Sequence, residues 1–328
     1  MALKDIKKFI IEANKIGITF HTSPDGDAIG SALGLFNGLR ELGKEVYILS
    51  KDTLPESLSF LPFSEEINGE IAEPKEGTDL VIVLDCGNVD RISANLSGFK
   101  GMVINIDHHI SNDKYGFINY VDTTAAATAE IVYLLLKEIG FEFSVKEDIL
   151  TRIGTCLYTS LVTDTGSFRH SNVTQRTHEI AGTLIGVGVN NSEIYNKLFD
   201  NRSINKLNLM GYAFQNAKLY FDGKVVAVAL DNDTLRKFDG EKEDTSDIIG
   251  NLLSIKSVEV AVLLKEVSEG VKSSLRSKSN FDVRRIAEQF DGGGHPKASG
   301  LIQRGVPLRI AKDNLLNAIE RDIKKCKA

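Results

Sequence analysis

Three cysteines in 328 residues, Cys86, Cys156 and Cys326, stand far apart and form no CxxC pair. That scarcity excludes a disulfide framework and a thiolate zinc site; an odd, scattered set reads as reduced thiols in a cytoplasmic protein. A basic surplus is missing too, since 39 Lys and Arg face 45 Asp and Glu for a net charge of −6. Proteins that coat long duplex DNA carry the opposite balance, so a genome binder is disfavoured, while a small phosphorylated ligand needs only a local basic pocket. No window approaches the ~18 apolar residues of a bilayer span, and no membrane partner is expected. The N-terminal Met-Ala-Leu-Lys-Asp-Ile-Lys-Lys lacks the apolar stretch and cleavage site of a secretory signal. Internal repeats and low-complexity segments are absent.

What remains is an ordinary globular composition, 42% hydrophobic and 26% charged, at a length that fits two domains of roughly 100–200 residues each. Ile6, Phe9, Ile10 and Ala13 recur at helical spacing. A strand over Ile16–Phe20 and a helix over Ala28–Leu42 follow, then strands at Val46–Leu49, Asp79–Leu84 and Met102–Ile106. The continuous apolar runs mark parallel strands buried on both faces. Helices over Ala129–Ile139 and Asp148–Val162 complete an α/β domain with a doubly wound, mainly parallel sheet over residues 1–190. Residues 191–220, poor in Gly and Pro, read as helix throughout and hence as a connector. A smaller mixed α/β domain is expected over 221–328. In it Val225–Leu230 is a strand, and Val258–Val267 and Val271–Arg276 form a hairpin around Ser268-Glu269-Gly270. Helices over Phe281–Phe290 and Pro307–Lys325 close it, and Lys324-Lys325-Cys326-Lys327 reads as a solvated helix end.

Acidic and imidazole groups gather where parallel strands end, the edge at which α/β sheets bind ligands. His21 precedes Pro24-Asp25-Gly26-Asp27, where Pro24 restricts the turn and Gly26 lets both carboxylates project together. Capping of the helix that follows would explain one carboxylate but not His21 beside two. Asp85 ends an apolar run, a costly place for a carboxylate unless it caps a helix, pairs with Arg91 or meets a metal. Asp107-His108-His109 follows another strand, and Thr163-Asp164-Thr165-Gly166 reads as a loop after a helix. Together His21, Asp25, Asp27, Asp85, His108 and Asp164 give two imidazoles and four carboxylates. This mixture suits Mn²⁺, Mg²⁺, Fe²⁺ or Zn²⁺, and its oxygen-rich balance favours Mn²⁺ or Mg²⁺. Six ligands exceed the needs of one catalytic ion with an open position. Two ions sharing a carboxylate would use them well, as in two-metal displacement at phosphorus. Arg169, His170 and His178 carry weaker signals, the last of them structural.

These motifs, in this order, resemble motifs I to IV of the DHH phosphoesterase superfamily. Gly292-Gly293-Gly294-His295 resembles the GGGH motif of its DHHA1 substrate domain. The similarity covers nearly the whole chain and is greatest to the oligoribonuclease and pAp-phosphatase subfamily, the NrnA-type nanoRNases. The resemblance implies one cation on His21, Asp25 and Asp85, and a second on Asp27, Asp85, His108 and Asp164, with Asp85 bridging. Mn²⁺ is the favoured ion and Mg²⁺ the alternative. Asp107 would orient the neighbouring imidazole, and His109 would face the scissile phosphate. Ser274, Arg276, Gly292, Gly293, Gly294 and His295 would hold substrate, the glycines through exposed backbone N–H groups. Asp291 departs from the usual residue before the glycines. The implied activity is cytoplasmic hydrolysis of short RNA oligonucleotides and of pAp to AMP, with the oligomeric state, homodimer included, left open. Cleavage of cyclic dinucleotides or pApA is the alternative, and a nucleotide sensor the non-catalytic one. A pyrophosphatase would pair the same metal motifs with a different C-terminal domain.

Overall fold

Leu80-Val-Ile-Val-Leu84 is apolar at every position because it lies at the centre of a sheet with both faces covered. In the computed structural model, which describes residues 2–241, 245–278 and 281–325, the chain divides into two compact units, Met1–Asn201 and Arg202–Ala328.

The first unit runs α1 (Leu3–Glu12), β1 (Lys15–Thr19), α2 (Gly26–Glu41), β2 (Glu45–Ile48), β3 (Leu80–Leu84), β4 (Met102–Asp107) and β5 (Ile118–Val121). The helices α3 (Thr128–Ile139), α4 (Asp148–Asp164), α5 (Gln175–Gly186) and α6 (Asn191–Phe199) follow. All five strands are parallel, in the order β2-β1-β3-β4-β5. The order reverses between β1 and β3, which opens a crevice at their carboxyl ends. Alternate side chains divide the core. Ile16, Ile18, Ile82, Leu84 and Ile104 pack under the helices. Tyr47, Leu49, Val81 and Val83 pack instead against Phe99, Leu96 and Tyr115 of the connecting segments. The edge strand β5 is not among the expected strands, because only Ile118 of its four residues is buried and the apolar pattern is correspondingly weak.

α2 is buried along almost its whole length, and glycine recurs in it every fourth residue. A Cβ on Gly26 would stand 2.5 Å from Thr163, one on Gly30 2.5 Å from the Cys156 carbonyl, and one on Gly34 2.7 Å from Leu157. The stripe thus lets α4 lie against α2 at backbone distance, as small residues do in tightly packed helix pairs. α4 extends two residues beyond the expected Val162, so Asp164 is its last helical residue and not a loop residue.

The second unit runs α7 (Ile204–Asn216), β6 (Lys218–Tyr220), β7 (Val225–Leu230), α8 (Asn232–Lys237), α9 (Ser246–Leu253), β8 (Val260–Val267) and β9 (Gly270–Ser277). α10 (Arg284–Glu288), β10 (Gly293–His295), β11 (Ala298–Arg304) and α11 (Leu308–Lys325) complete it. The mixed sheet has the order β10-β11-β9-β8-β7-β6, with β8 and β9 forming the expected hairpin. The stretch 191–220 is not continuous helix. Ser203 accepts the Lys206 N–H at 3.0 Å and starts α7 afresh after α6, and β6 pairs with β7. The helix expected over Phe281–Phe290 is only the short α10. Cys326 and Lys327 lie outside the described residues; Cys86 and Cys156 are free thiols.

Candidate metal centre

Strand register brings the chemistry of the first unit to one level. Thr19 pairs with Val83 and Leu84 with Ile106, so His21, Asp85 and Asp107 leave neighbouring strands side by side. Asp85 has φ +53, a left-handed conformation that Asp tolerates better than most residues, and its side chain is buried. Asp25 is the N-cap of α2, accepting the N–H groups of Asp27 and Ala28 at 3.0 and 3.1 Å. The capping explanation therefore holds for Asp25 alone. Asp27 does not cap α2; its carboxylate accepts from Ser31 one turn along the same helix at 2.9 Å, from Ser160 of α4 at 2.5 Å, and from the Thr128 N–H at the start of α3 at 2.8 Å.

The six side chains converge. His21 Nε2 lies 3.8 Å from Asp25 and 3.6 Å from Asp85 Oδ2. His108 Nε2 lies 3.6 Å from Asp85 Oδ1, 3.6 Å from Asp164 and 3.7 Å from Asp27 Oδ2. These gaps are too long for hydrogen bonds. They are close to the roughly 3–3.5 Å that separates neighbouring ligands bound ~2.0–2.2 Å from one ion. His21, Asp25 and Asp85 form one candidate cation cluster, and Asp27, His108 and Asp164 another. Asp85 faces both histidines. Arg91 approaches His21 Nδ1 at 3.5 Å rather than pairing with Asp85, so the ion-pair explanation of Asp85 falls away.

Ring orientation tests whether the group fits. His21 Nδ1 bonds the Thr22 carbonyl at 2.9 Å and His108 Nδ1 bonds the Ala125 carbonyl at 3.2 Å. A carbonyl only accepts, and the 2.9 Å Thr22 contact is far shorter than the 3.5 Å approach of the Arg91 guanidinium, which could only donate, so each Nδ1 is assigned the proton and each Nε2 can turn a lone pair toward the carboxylates. Lone pairs facing carboxylates repel unless a cation, or a second proton on the ring, lies between. The alternative to a metal is crowding relieved by protons. Burial pulls the His21 imidazole down, yet Asp25 and Asp85 outweigh it and hold it at about 10. Burial, then the charges of Asp85, Asp164 and Asp25, push Asp27 well above the carboxylate range. Burial and the charges of Asp85 and Asp25 raise Asp164 to about 6 against the pull of His108. Divalent cations would release this strain, and the donor set fits them.

Asp107 does not orient His108, whose ring the Ala125 carbonyl holds. Its carboxylate instead binds the ring of His109, with Nδ1 at 2.7 Å from Oδ1. The hydrogen bond to Asp107 is the main cause that raises His109 to about 9, against desolvation. Asp107 is in turn held by Asn112, which donates to it at 2.6 Å and to the buried Asn105 at 2.7 Å. His109 is the more open of the pair, with 42% of its side chain exposed. Asn112 and Asn105 are not legible in the sequence, because lone asparagines carry no spacing signal.

Arg169 turns back onto the Gly166 carbonyl at 2.8 Å, and His178 stacks on Phe168 with ring centres 5.4 Å apart, a structural role as expected. His170 packs beneath Gly166.

In the second unit Lys272, Ser274 and Arg276 alternate onto one face of β9 and line a concavity of about 390 Å³ with Lys265, Thr245 and Ser246. The register extends that face: Arg276 pairs with Ala298 and Ala298 with His295, while Ser274 pairs with Gly300 and Gly300 with Gly293. The glycine run is therefore not an open loop. Gly293, Gly294 and His295 form β10, and the Gly292 N–H is already donated to the Ala287 carbonyl at 3.0 Å. That leaves no nest at Gly292. Gly292 and Gly294 serve close approach instead, since a Cβ there would meet the Gly300 carbonyl at 2.4 Å and the Ala298 carbonyl at 2.6 Å, respectively. Lys265 and Lys272 give no advance signal, because single lysines in strands read as solvated charge.

An α/β sheet carrying this histidine–carboxylate cluster, followed by a mixed-sheet unit with a GGGH strand, defines a metal-dependent phosphoesterase class. The chain belongs to the DHH/DHHA1 phosphoesterases: residues 15–161 match the DHH family N-terminal domain and residues 222–325 the DHHA1 domain. It is 35% identical over 308 residues, 94% of this chain and 90% of the other, to the bifunctional oligoribonuclease and PAP phosphatase NrnA of Thermus thermophilus. The protein of the same name from Bacillus subtilis is 35% identical over 283 residues, covering 85% and 86% of the two chains. The crystal structure of an exopolyphosphatase-related protein from Bacteroides fragilis superposes with a TM-score of 0.90 at 31% identity, covering 99% and 97% of the chains. Among the described residues no helix is long and apolar enough to cross a membrane.

Proposed function

We propose that this protein hydrolyses short RNA oligonucleotides and removes the 3′-phosphate of pAp to give AMP, in the cytoplasm, with two divalent cations, preferably Mn²⁺. The observation that carries this reading is the pair of imidazoles whose Nδ1 atoms are tied to carbonyls while Nε2 faces four convergent carboxylates. The names of the Thermus and Bacillus relatives support the substrates.

His21, Asp25 and Asp85 would hold one cation, and Asp27, Asp85, His108 and Asp164 the other. Bound there, such ions lower the pKa of a water toward ~7 and neutralise charge on phosphoryl oxygens. His109, held protonated by Asp107, presents a cationic donor to the scissile phosphate or to the departing nucleoside oxygen. Asp107, fixed by Asn112, keeps that ring in place. The second unit grips substrate: the Arg276 guanidinium offers a planar fork for phosphate oxygens. Ser274 and His295 share its face, and Gly293, paired with Gly300, keeps the β10 side of that face low, while Gly292 and Gly294 point to the opposite side. Lys265 and Lys272 add positive charge to the same concavity.

The test is a panel of pAp, RNA dinucleotides, longer RNA, cyclic di-AMP, pApA and pyrophosphate, assayed with Mn²⁺ and with chelator. RNA dinucleotides and pAp should be cleaved fastest, and chelator should stop the reaction. Asp85→Asn keeps the shape and the left-handed backbone but removes the shared charge, and it should cost more than ~100-fold in activity. Fastest cleavage of pyrophosphate or of a cyclic dinucleotide would overturn the substrate assignment. Full activity in the variant would overturn the metal centre.

A further inference from the structure

α3 begins without a cap of its own, because Ala127 at its N-cap position has no side-chain oxygen to offer. The missing acceptor comes from 101 residues earlier, where Asp27 Oδ2 takes the Thr128 N–H at 2.8 Å and Oδ1 takes the Ala129 N–H at 3.3 Å. Thr128 is fully buried, and its hydroxyl donates to Asp85 Oδ1 at 3.0 Å. Among the described residues this is the one hydrogen bond that reaches the Asp85 carboxylate. Asp85 divides its oxygens between the clusters: Oδ1 is 3.6 Å from His108 and Oδ2 is 3.6 Å from His21. The hydroxyl therefore fixes the rotation of the carboxylate that points one oxygen at each imidazole, and the same residue's N–H fixes the other buried carboxylate.

We propose that Thr128 is a positioning residue that locks Asp85 across the two cation sites while anchoring Asp27. The proposal rests on the two-cation reading above. A β-branched side chain at the first helical position has few rotamers, so its hydroxyl is aimed before any ion arrives. Partners that orient metal ligands commonly account for 10–100-fold in metal affinity.

The experiment titrates the metal-free full-length chain with Mn²⁺ by calorimetry. Wild type should bind two ions. Thr128→Val keeps the shape and the N–H to Asp27 but loses the hydroxyl. It should weaken at least one ion by ~10–100-fold, leave the melting of the metal-free chain within a few degrees, and recover kcat at saturating Mn²⁺. Thr128→Ser should bind as wild type does. Two ions bound by the Val variant with wild-type affinity would overturn the proposal, as would a Ser variant as weak as Val. If the Val variant does not fold, Thr128→Ala against Thr128→Ser makes the same comparison: a weak Ala variant beside a wild-type-like Ser variant supports the role, and equal binding by the two overturns it. A wild-type chain that takes up fewer than two ions refutes the two-cation reading, and the proposal with it. Two ions in wild type with no loss in the variant refutes only the role of Thr128.

Discussion

Replacing Asp164 by Asn should stabilise the metal-free protein and cripple the metal-loaded one. Asp164 ends α4, where burial and the charges of Asp85 and Asp25 raise its carboxyl from 3.8 to about 6. At 1.36 kcal/mol per pKa unit the ionised form therefore costs at most about 3 kcal/mol of folding stability. The folded chain holds this proton more tightly than the unfolded one. Below pH ~3.8 both states are protonated and the cost vanishes; it grows as pH rises and is complete above ~6. Asparagine carries no charge at any pH and removes this slope.

Urea melts of the metal-free chains at pH 7.5 should show Asp164→Asn more stable by up to about 3 kcal/mol, equivalent to roughly 5–10 °C in Tm. At pH 4 the gap should nearly close. Mn²⁺ should then invert the order, since an ion at 1,000 times its Kd adds about 4.1 kcal/mol to a chain that binds it. A metal-free variant no more stable than wild type at pH 7.5 would refute the claim that charge crowding dominates the metal-free centre. A gap of equal size at pH 4 would show that its origin is not ionisation.

Two further outcomes follow from the same geometry. Asp107→Asn should bring the His109 imidazole down from about 9 toward its ordinary value, read by NMR titration of the metal-free chain; a titration still centred near 9 would remove Asp107 as the cause. Gly30→Ala places a Cβ 2.5 Å from the Cys156 carbonyl and 2.9 Å from Ser160. It should cost about 1–3 kcal/mol in a urea melt and weaken Mn²⁺ binding, because Ser160 and Asp164 ride on α4; unchanged stability would mean the helices do not need that approach.

Most of the candidate ligands are visible in the sequence because they stand just beyond strand ends, and parallel strands deliver their ends to one edge; Asp164, at the end of α4, is the exception. His21, Asp85 and Asp107 need no further information than the apolar runs before them. The residues that aim them are hidden for a different reason. Thr22 and Ala125 act through backbone carbonyls, which every residue possesses, so no residue type announces the role. Thr128 lies in Ala-Ala-Ala-Thr-Ala-Glu, where it passes for an ordinary helix start. In the second unit Gly292 to His295 read as loop because glycine is a turn signal, yet pairing with β11 makes a strand of Gly293 to His295. The break between α6 and α7 is foreshadowed only by polar Asp200, Asn201 and Ser203, the last a helix cap.

Asp27 shows why a site of this kind is inseparable from its fold. Its carboxylate closes the open end of α3, receives hydroxyls from α2 and α4, and still turns Oδ2 toward His108 at 3.7 Å. A carboxylate has about four lone-pair sites, and the protein donors occupy all but the direction of the imidazole. The glycines of α2 make this convergence reachable, because Ser160 touches Asp27 only if α4 lies at backbone distance from Gly30. Loss of Asp27 would therefore uncap one helix and unseat another before any change in metal affinity is counted. Asp25 shares part of that burden as the N-cap of α2, whereas Asp164, the last helical residue of α4, caps no helix start. A variant at Asp164 leaves every helix start capped, whereas a variant at Asp27 changes helix ends and metal affinity at once.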